Sequence, residues 1–229
     1  MPPNPRPIPR FIADSTQEGI PHGRFAETLA AEFRTACGRI EDLPEEVEAP
    51  AAEGIEWFPE RAWGGRVWVP ATARVPNPGS AVPSPDITGE RNSGTGDGGT
   101  LELFGHVSYV QPEEGEPEGL RAVADFTDVL AEDNPDWRID LNDEVIGRWR
   151  GENGRAGKVT LVWGRPLVRG AVAASAELDL ETVDQEAISN ERFTLIALDA
   201  LEGFGDDVFM QVKLWAARAR ELASESLYD

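Results

Sequence analysis

The chain has 229 residues, and its 42 Asp and Glu outnumber its 21 Lys and Arg, which gives a formal net charge of −21. One cysteine and two histidines exclude a disulfide framework and leave little material for a metal site. So acidic a chain repels nucleic-acid backbones, and it holds no apolar run long enough to span a membrane. We therefore expect a cytoplasmic protein with no metal, cofactor, nucleic-acid or membrane partner.

The first residues, MPPNPRPIPR, are rich in proline and predict an extended polyproline II arm over 1–20. Such an arm is either a disordered tail or a strap that lies on another protein. Its cations Arg6 and Arg10 are candidates for binding a partner protein.

We expect residues 21–229 to form a single β-rich domain that begins with a helix over 22–39. Phe25, Leu29 and Phe33 recur at a spacing of four, which places them on one face of that helix. Cys37 lies beside this apolar face, so we expect a small buried side chain rather than a reactive thiol.

From Ile55 onward the apolar residues recur with a period of two, which is typical of strands. The candidate strands are 55–58, 66–75, 101–110, 120–130, 137–141, 144–150, 158–164, 168–178 and 192–198. No helical segments lie between them, so they favour an antiparallel sandwich or a barrel-like sheet. Pro70 and Pro76 predict that 66–75 is an edge strand or a bulged one.

Two further segments interrupt or follow these strands. Residues 76–100 have almost no core-forming side chains and predict a long mobile loop, which could be a lid, a partner-binding loop or a tolerated insertion. Residues 206–226 carry Val208, Val212 and Trp215 at helical spacing. They predict a C-terminal helix that packs, like the N-terminal one, on the sheet.

Positive charge is concentrated in 148–169, which contains six basic residues and one acidic residue. Alternation in the predicted hairpin places Val145 and Trp149 inward and Arg148 outward. Arginine binds carboxylates through two parallel hydrogen bonds, and a partly exposed tryptophan is typical of an interface. The candidate partner-binding residues of the β region are Trp57, Trp63, Trp68, Arg148, Arg150, Arg155 and Lys158. The alternatives are that the cations pair with acidic neighbours and that the tryptophans lie in the core.

No catalytic motif is visible. The chain lacks a Gly-x-Ser-x-Gly turn, and His106 is expected to lie within a strand. Residues 140–151 lack the glycine and the final glutamate of a calcium loop, and Glu177 is expected to face water. We expect a non-catalytic structural or protein-interaction subunit that binds other subunits, or a second copy of itself, through its arm, its long loop and its Arg- and Trp-bearing strands. The alternatives are a β domain that binds a small molecule or glycan, and a hydrolase with paired carboxylates.

Overall fold

The structure is a computed structural model that describes residues 23–78, 99–111, 115–150, 156–178, 181–202 and 210–227. These residues form one α-helix and twelve strands, and every strand pair is antiparallel. The predicted antiparallel β class is therefore confirmed. The predicted arm 1–20 and most of the predicted loop 76–100 lie outside the described residues.

The helix, α1, spans Ala26–Cys37 and follows a 3-10 turn at Gly23–Phe25, so it lies inside the predicted range. Leu29 and Phe33 are fully buried on one face of α1, and Cys37 is buried beside them, as predicted. Within the described ranges, no helix has the length and apolar character needed to cross a membrane.

Five strands form the first sheet, sheet A: β1 (Ile55–Trp57), β2 (Arg61–Trp63), β3 (Arg66–Pro76), β4 (Thr100–Val110) and β5 (Glu118–Thr127). Strands β1 and β2 both pair with the same side of β3, and β4 and β5 follow on the other side. The ends of β3 and β4 stay together across the loop between them, because Asn77 N–H donates to the carbonyl of Gly99 at 2.6 Å.

Strand β3 is central in sheet A, and its register with β4 runs without a shift from Val67 to Pro76, so the prediction of an edge or bulged strand is wrong. The carbonyl of Pro70 accepts a hydrogen bond from Phe58 N–H at 3.0 Å, in the gap between β1 and β2. The N–H and C=O of one strand residue point to the same side. The missing N–H of Pro70 therefore faces that gap, and the pairing of β3 with β4 loses no hydrogen bond at this position.

Seven strands form the other two sheets: β6 (Ile139–Arg150), β7 (Ala156–Pro166), β8 (Ala173–Leu178), β9 (Glu181–Ala187), β10 (Phe193–Glu202), β11 (Met210–Ala216) and β12 (Arg220–Ser226). Sheet B has the order β10-β7-β6, and sheet C has the order β12-β11-β8-β9. The predicted strands 137–141 and 144–150 are one continuous strand, β6, and β9 was not predicted.

The predicted C-terminal helix is wrong, because β11 and β12 form a hairpin in its place. Met210, Val212 and Leu214 alternate into the core with a period of two, which the helical spacing of Val212 and Trp215 conceals. The chain turns at Ala217–Ala219, where Arg218 adopts a φ of 63°. Only one of the two predicted flanking helices therefore exists among the described residues.

The described elements are layered in the order α1, sheet A, sheet B and sheet C, with apolar side chains between each pair. Leu161 and Trp163 of β7 pack with Phe58 and Trp68 from the sheet A side, while Val162 points to sheet C. Both faces of β7 are thus buried from Val159 to Trp163, so the outward face that alternation predicts for the hairpin is wrong for this part of the strand, whereas Lys158 before it is exposed. No sheet of the described strands closes on itself, so these strands form stacked sheets rather than the predicted barrel-like alternative.

Candidate functional site

The three tryptophans near the Gly64–Gly65 turn contribute mainly to packing. Trp68 is 8% exposed, and its Nε1–H donates to the carbonyl of Trp63 at 3.1 Å. The ring centroid of Trp57 lies 6.0 Å from that of Phe33 in α1. The expectation that these three rings stand partly exposed is wrong for Trp68, because sheet B covers that face of β3.

Trp63 is half-buried and lies directly over Gly147 of β6. A Cβ added at Gly147 would come within 2.5 Å of the Trp63 ring, so the glycine leaves the space that the ring occupies. This contact joins sheet A to sheet B and uses the ring area that we expected a partner to cover.

Of the predicted basic candidates, the structure describes the side chains of Arg148 and Lys158. Arg6, Arg10 and Arg155 lie outside the described residues, as do the side chains of Trp149 and Arg150. Arg148 and Lys158 are directly opposite each other on β6 and β7, and both are exposed, as predicted.

A β-bulge in β6 determines which side chains lie beside Arg148. Val145 pairs with Thr160, but Gly147 already pairs with Val159, so Ile146 is an extra residue with no partner position on β7. The bulge moves Val145 and Gly147 to opposite faces. Val145 is 43% exposed, so the prediction that it points inward is wrong.

The bulge also places three side chains on one face of β6, those of Asp143, Val145 and Arg148. They are evenly spaced when measured by their partner residues on β7. Their partners are every second residue of β7, namely Val162, Thr160 and Lys158. All three side chains of this face are exposed. We call Asp143, Val145, Arg148 and the neighbouring Lys158 the β6 face.

One other cation of the basic stretch, Arg165, is already paired within the chain. Arg165 donates to Glu56 at 2.6 Å and to the hydroxyl of Thr72 at 2.9 Å. Arg192 donates to the same Glu56 oxygen at 2.9 Å. The alternative that basic residues pair with acidic neighbours therefore holds for Arg165, in contrast to Arg148 and Lys158.

Five consecutive residues of β6 line one wall of a cleft of about 360 Å³ between sheets A and B, so Asp143 belongs to this cleft as well as to the β6 face. Its lining consists of Glu102, Phe104, Asp125, Thr127, Val129, Leu130, Ala131, Trp137 and residues 140–144. The lining contains five carboxylate side chains and no basic one. Trp137 is 39% exposed at this cleft, so an aromatic ring and carboxylates are accessible together.

Burial and crowding disfavour ionisation of three carboxyl groups in the cleft. Burial raises the pKa of Glu102, and the nearby Asp140 raises it further. Burial likewise raises the pKa of Asp140 and of Glu144. Arg74, 3.7 Å from Glu102, and Arg165, 4.0 Å from Asp140, oppose these shifts. The described residues hold no group of three or more side chains suited to bind a metal ion.

His106 lies in β4 as predicted, but it is 4% exposed and its Nδ1 has no hydrogen-bond partner. Its ring centroid is 5.1 Å from that of Trp68. Burial lowers the pKa of His106 to about 4, and the positive charge of Arg66 lowers it as well. The neutral imidazole is thus part of the layer between sheets A and B.

Sequence reasoning missed the buried ion pair between Lys213 and Glu177, whose charged atoms lie 2.9 Å apart in sheet C. Both side chains are buried, so the prediction that Glu177 faces water is wrong. The alternation of Lys213 with Val212 and Leu214 could have indicated a lysine on the second face of a central strand.

Comparison of the chain with protein-family models, curated proteins and solved structures finds no match.

Proposed function

We propose that the protein is a non-catalytic protein-interaction subunit that docks an acidic surface of a partner protein on Arg148 and Lys158. The observation that carries this proposal is the pairing of these two like charges. They face each other across neighbouring strands and are both exposed. Like charges directly opposite each other destabilise a sheet. A carboxylate brought by a partner would remove that repulsion and would find an arginine placed for two-pronged binding.

The contrast with other cations supports this choice of surface. Arg61, Arg74, Arg165 and Arg192 each contact a carboxylate of another element. Among the residues that the structure describes, Arg148 and Lys158 form no ion pair. In a chain with twice as many acidic as basic residues, two exposed cations directly opposite each other form a local positive surface that attracts carboxylates.

Site-specific cross-linking tests the proposal. A photo-reactive amino acid replaces Lys158, and a matched variant carries it at Arg39, an exposed cation just after α1. In an extract of the source cells, we expect discrete adducts from position 158 that are absent from position 39. They should disappear at about 1 M salt, where the Debye length is about 3 Å. Identical adducts from both positions, or none from position 158, would refute the proposal.

The cleft supports a second candidate function, the binding of a small molecule or glycan. A ligand with an amine would neutralise carboxylates that crowd one another and would stack its apolar part on Trp137. A sugar would use the same ring and carboxylates as hydrogen-bond acceptors. The hydrolase alternative belongs to this cleft as well, because Glu102 and Asp140 converge there.

Calorimetric titration with spermidine and with maltotriose separates these ligand classes. Binding of either probe should be lost in Trp137→Ala and in Asp125→Asn, but kept in Asp42→Asn, which lies in the exposed segment after α1. The absence of heat from both probes, together with no hydrolysis of maltotriose, would eliminate this candidate.

A further inference from the structure

We infer that the partner docked on the β6 face is a second copy of this chain, bound through an antiparallel two-fold contact centred on Val145. This inference rests on the proposed function, because it names the partner of the same surface. The carboxylate that reaches Arg148 and Lys158 would be Asp143 of the other copy.

The position of β6 in the fold makes it available for such a contact. It is the last strand of sheet B, and its 12 residues exceed the usual strand length of about 5–6. Within the described part of the chain, its outer edge pairs with no other strand. A long open edge is a template for another chain unless side chains block it.

The opposite edge of sheet B shows how this fold blocks an edge. There the carboxylate of Asp184 accepts a hydrogen bond from the backbone N–H of Ile196 in β10, at 2.8 Å. Arg61 holds Asp184 in place through an ion pair at 2.7 Å. On β6, the charged side chains of the strand would determine which other strand can pair with its open edge.

The charges of β6 change sign along the strand. Asp140, Asp143 and Glu144 lie in its first half, and Arg148 and Arg150 lie in its second half. A parallel contact between two copies would bring like charges together. An antiparallel contact about a two-fold axis brings each acidic half against the basic half of the other copy. The strand is therefore complementary to itself in one orientation.

The bulge makes this complementarity symmetric on the β6 face. Asp143 and Arg148 lie equally far from Val145, because their partners on β7 are equally spaced about Thr160. A two-fold axis through Val145 thus places Asp143 of each copy near Arg148 of the other. It also buries two exposed valine side chains against each other, which is favourable. A contact limited to one strand per copy is small, so we expect a dissociation constant of the order of 10 µM.

The test uses the fact that a residue on a two-fold axis meets itself. The full-length chain is prepared as Val145→Asp and as Val145→Lys, and mass is measured by light scattering from about 1 to 300 µM, a range that brackets the expected dissociation constant. Each variant alone brings two like charges together, so its dissociation constant should rise at least about tenfold. An equimolar mixture of the two variants should regain the dimer mass, because the introduced carboxylate of one chain then meets the introduced ammonium group of the other. Control variants with the same changes at Val110, which is 40% exposed in β4, should dimerise like the wild type.

A wild-type mass of one chain throughout this range would overturn the inference. A dimer that survives both single substitutions, or a mixture that stays monomeric, would also overturn it. Position 158 then distinguishes the two proposals. Cross-links from Lys158 to a different protein would retain the proposed function and reject the second copy as partner, whereas no cross-link and no dimer would reject both.

Discussion

We expect the buried side chain of His106 to make its own contribution to the pH dependence of the free energy of unfolding. It is buried and its pKa in the fold is about 4, whereas an unfolded histidine titrates near 6.5. Below pH 6.5 His106 is protonated in the unfolded chain but stays neutral in the folded one. His106 therefore favours unfolding as the pH falls toward 4. At 1.36 kcal/mol for each pKa unit, the full loss is about 3 kcal/mol.

The measurement must separate His106 from carboxyl groups that act in the opposite direction. Burial raises the pKa of Glu102, Asp140 and Glu144. Protonation of these groups in acid therefore increases the free energy of unfolding. We therefore compare urea unfolding of the wild type and of His106→Gln at pH 7 and near pH 4. The variant loses stability at pH 7 through altered packing, and its deficit should shrink by about 3 kcal/mol at the lower pH.

The other histidine of the chain provides the control. His22→Gln leaves His106 as the single imidazole, so its proton NMR titration reports this site alone. We expect a midpoint near 4. A midpoint near 6.5, or a deficit of His106→Gln that is the same at both pH values, would refute a buried neutral histidine between sheets A and B.

Three further substitutions or probes test the described core. Gly147→Ala should cost about 1–3 kcal/mol in urea unfolding, because the new methyl meets Trp63; an unchanged midpoint would contradict that contact. Lys213→Ala should cost about 3–5 kcal/mol by leaving Glu177 buried and uncompensated, whereas Lys213→Met with Glu177→Leu should recover most of the loss on thermal unfolding. Burial raises the pKa of Cys37 to about 12, so a disulfide reagent at pH 8 should react at least about 100-fold more slowly with folded than with urea-unfolded protein, and rapid reaction in the fold would contradict this burial.

The sequence was most informative where one period excluded the other. Phe33 and Ala36, three residues apart, continue the apolar face that Phe25 and Leu29 begin. A strand would place Phe33 and Ala36 on opposite faces, whereas α1 buries both. Val212 and Trp215 also fit a helix, but Met210, Val212 and Leu214 fit a strand equally well. Short apolar runs of this kind do not distinguish the two.

The turn between β11 and β12 carried no visible signal either. Arg218 and Ala219 adopt the left-handed conformation that usually marks a glycine, and the residues around them are good helix formers. Tertiary packing on sheet B decides the structure of this segment. Local propensity alone therefore predicts a helix where the fold has a hairpin.

The candidate sites divide in the same way. The exposure of Arg148 and Lys158 followed from alternation within one hairpin, which the sequence shows directly. The cleft needs β4, β5 and β6 together, so no local pattern could place Glu102 beside Asp140. The burial of Trp68 likewise depends on the stacking of sheet B over sheet A.

Pro70 has a consequence for how sheet A assembles. In the observed alignment its ring nitrogen points at the opening between β1 and β2, so no hydrogen bond between β3 and β4 is lost there. If β3 slid by one residue against β4, the same nitrogen would turn toward β4 and leave a carbonyl there without a donor. The proline thus raises the free energy of the registers shifted by one residue relative to the observed one. It therefore favours the correct register of β3 with β4 during folding.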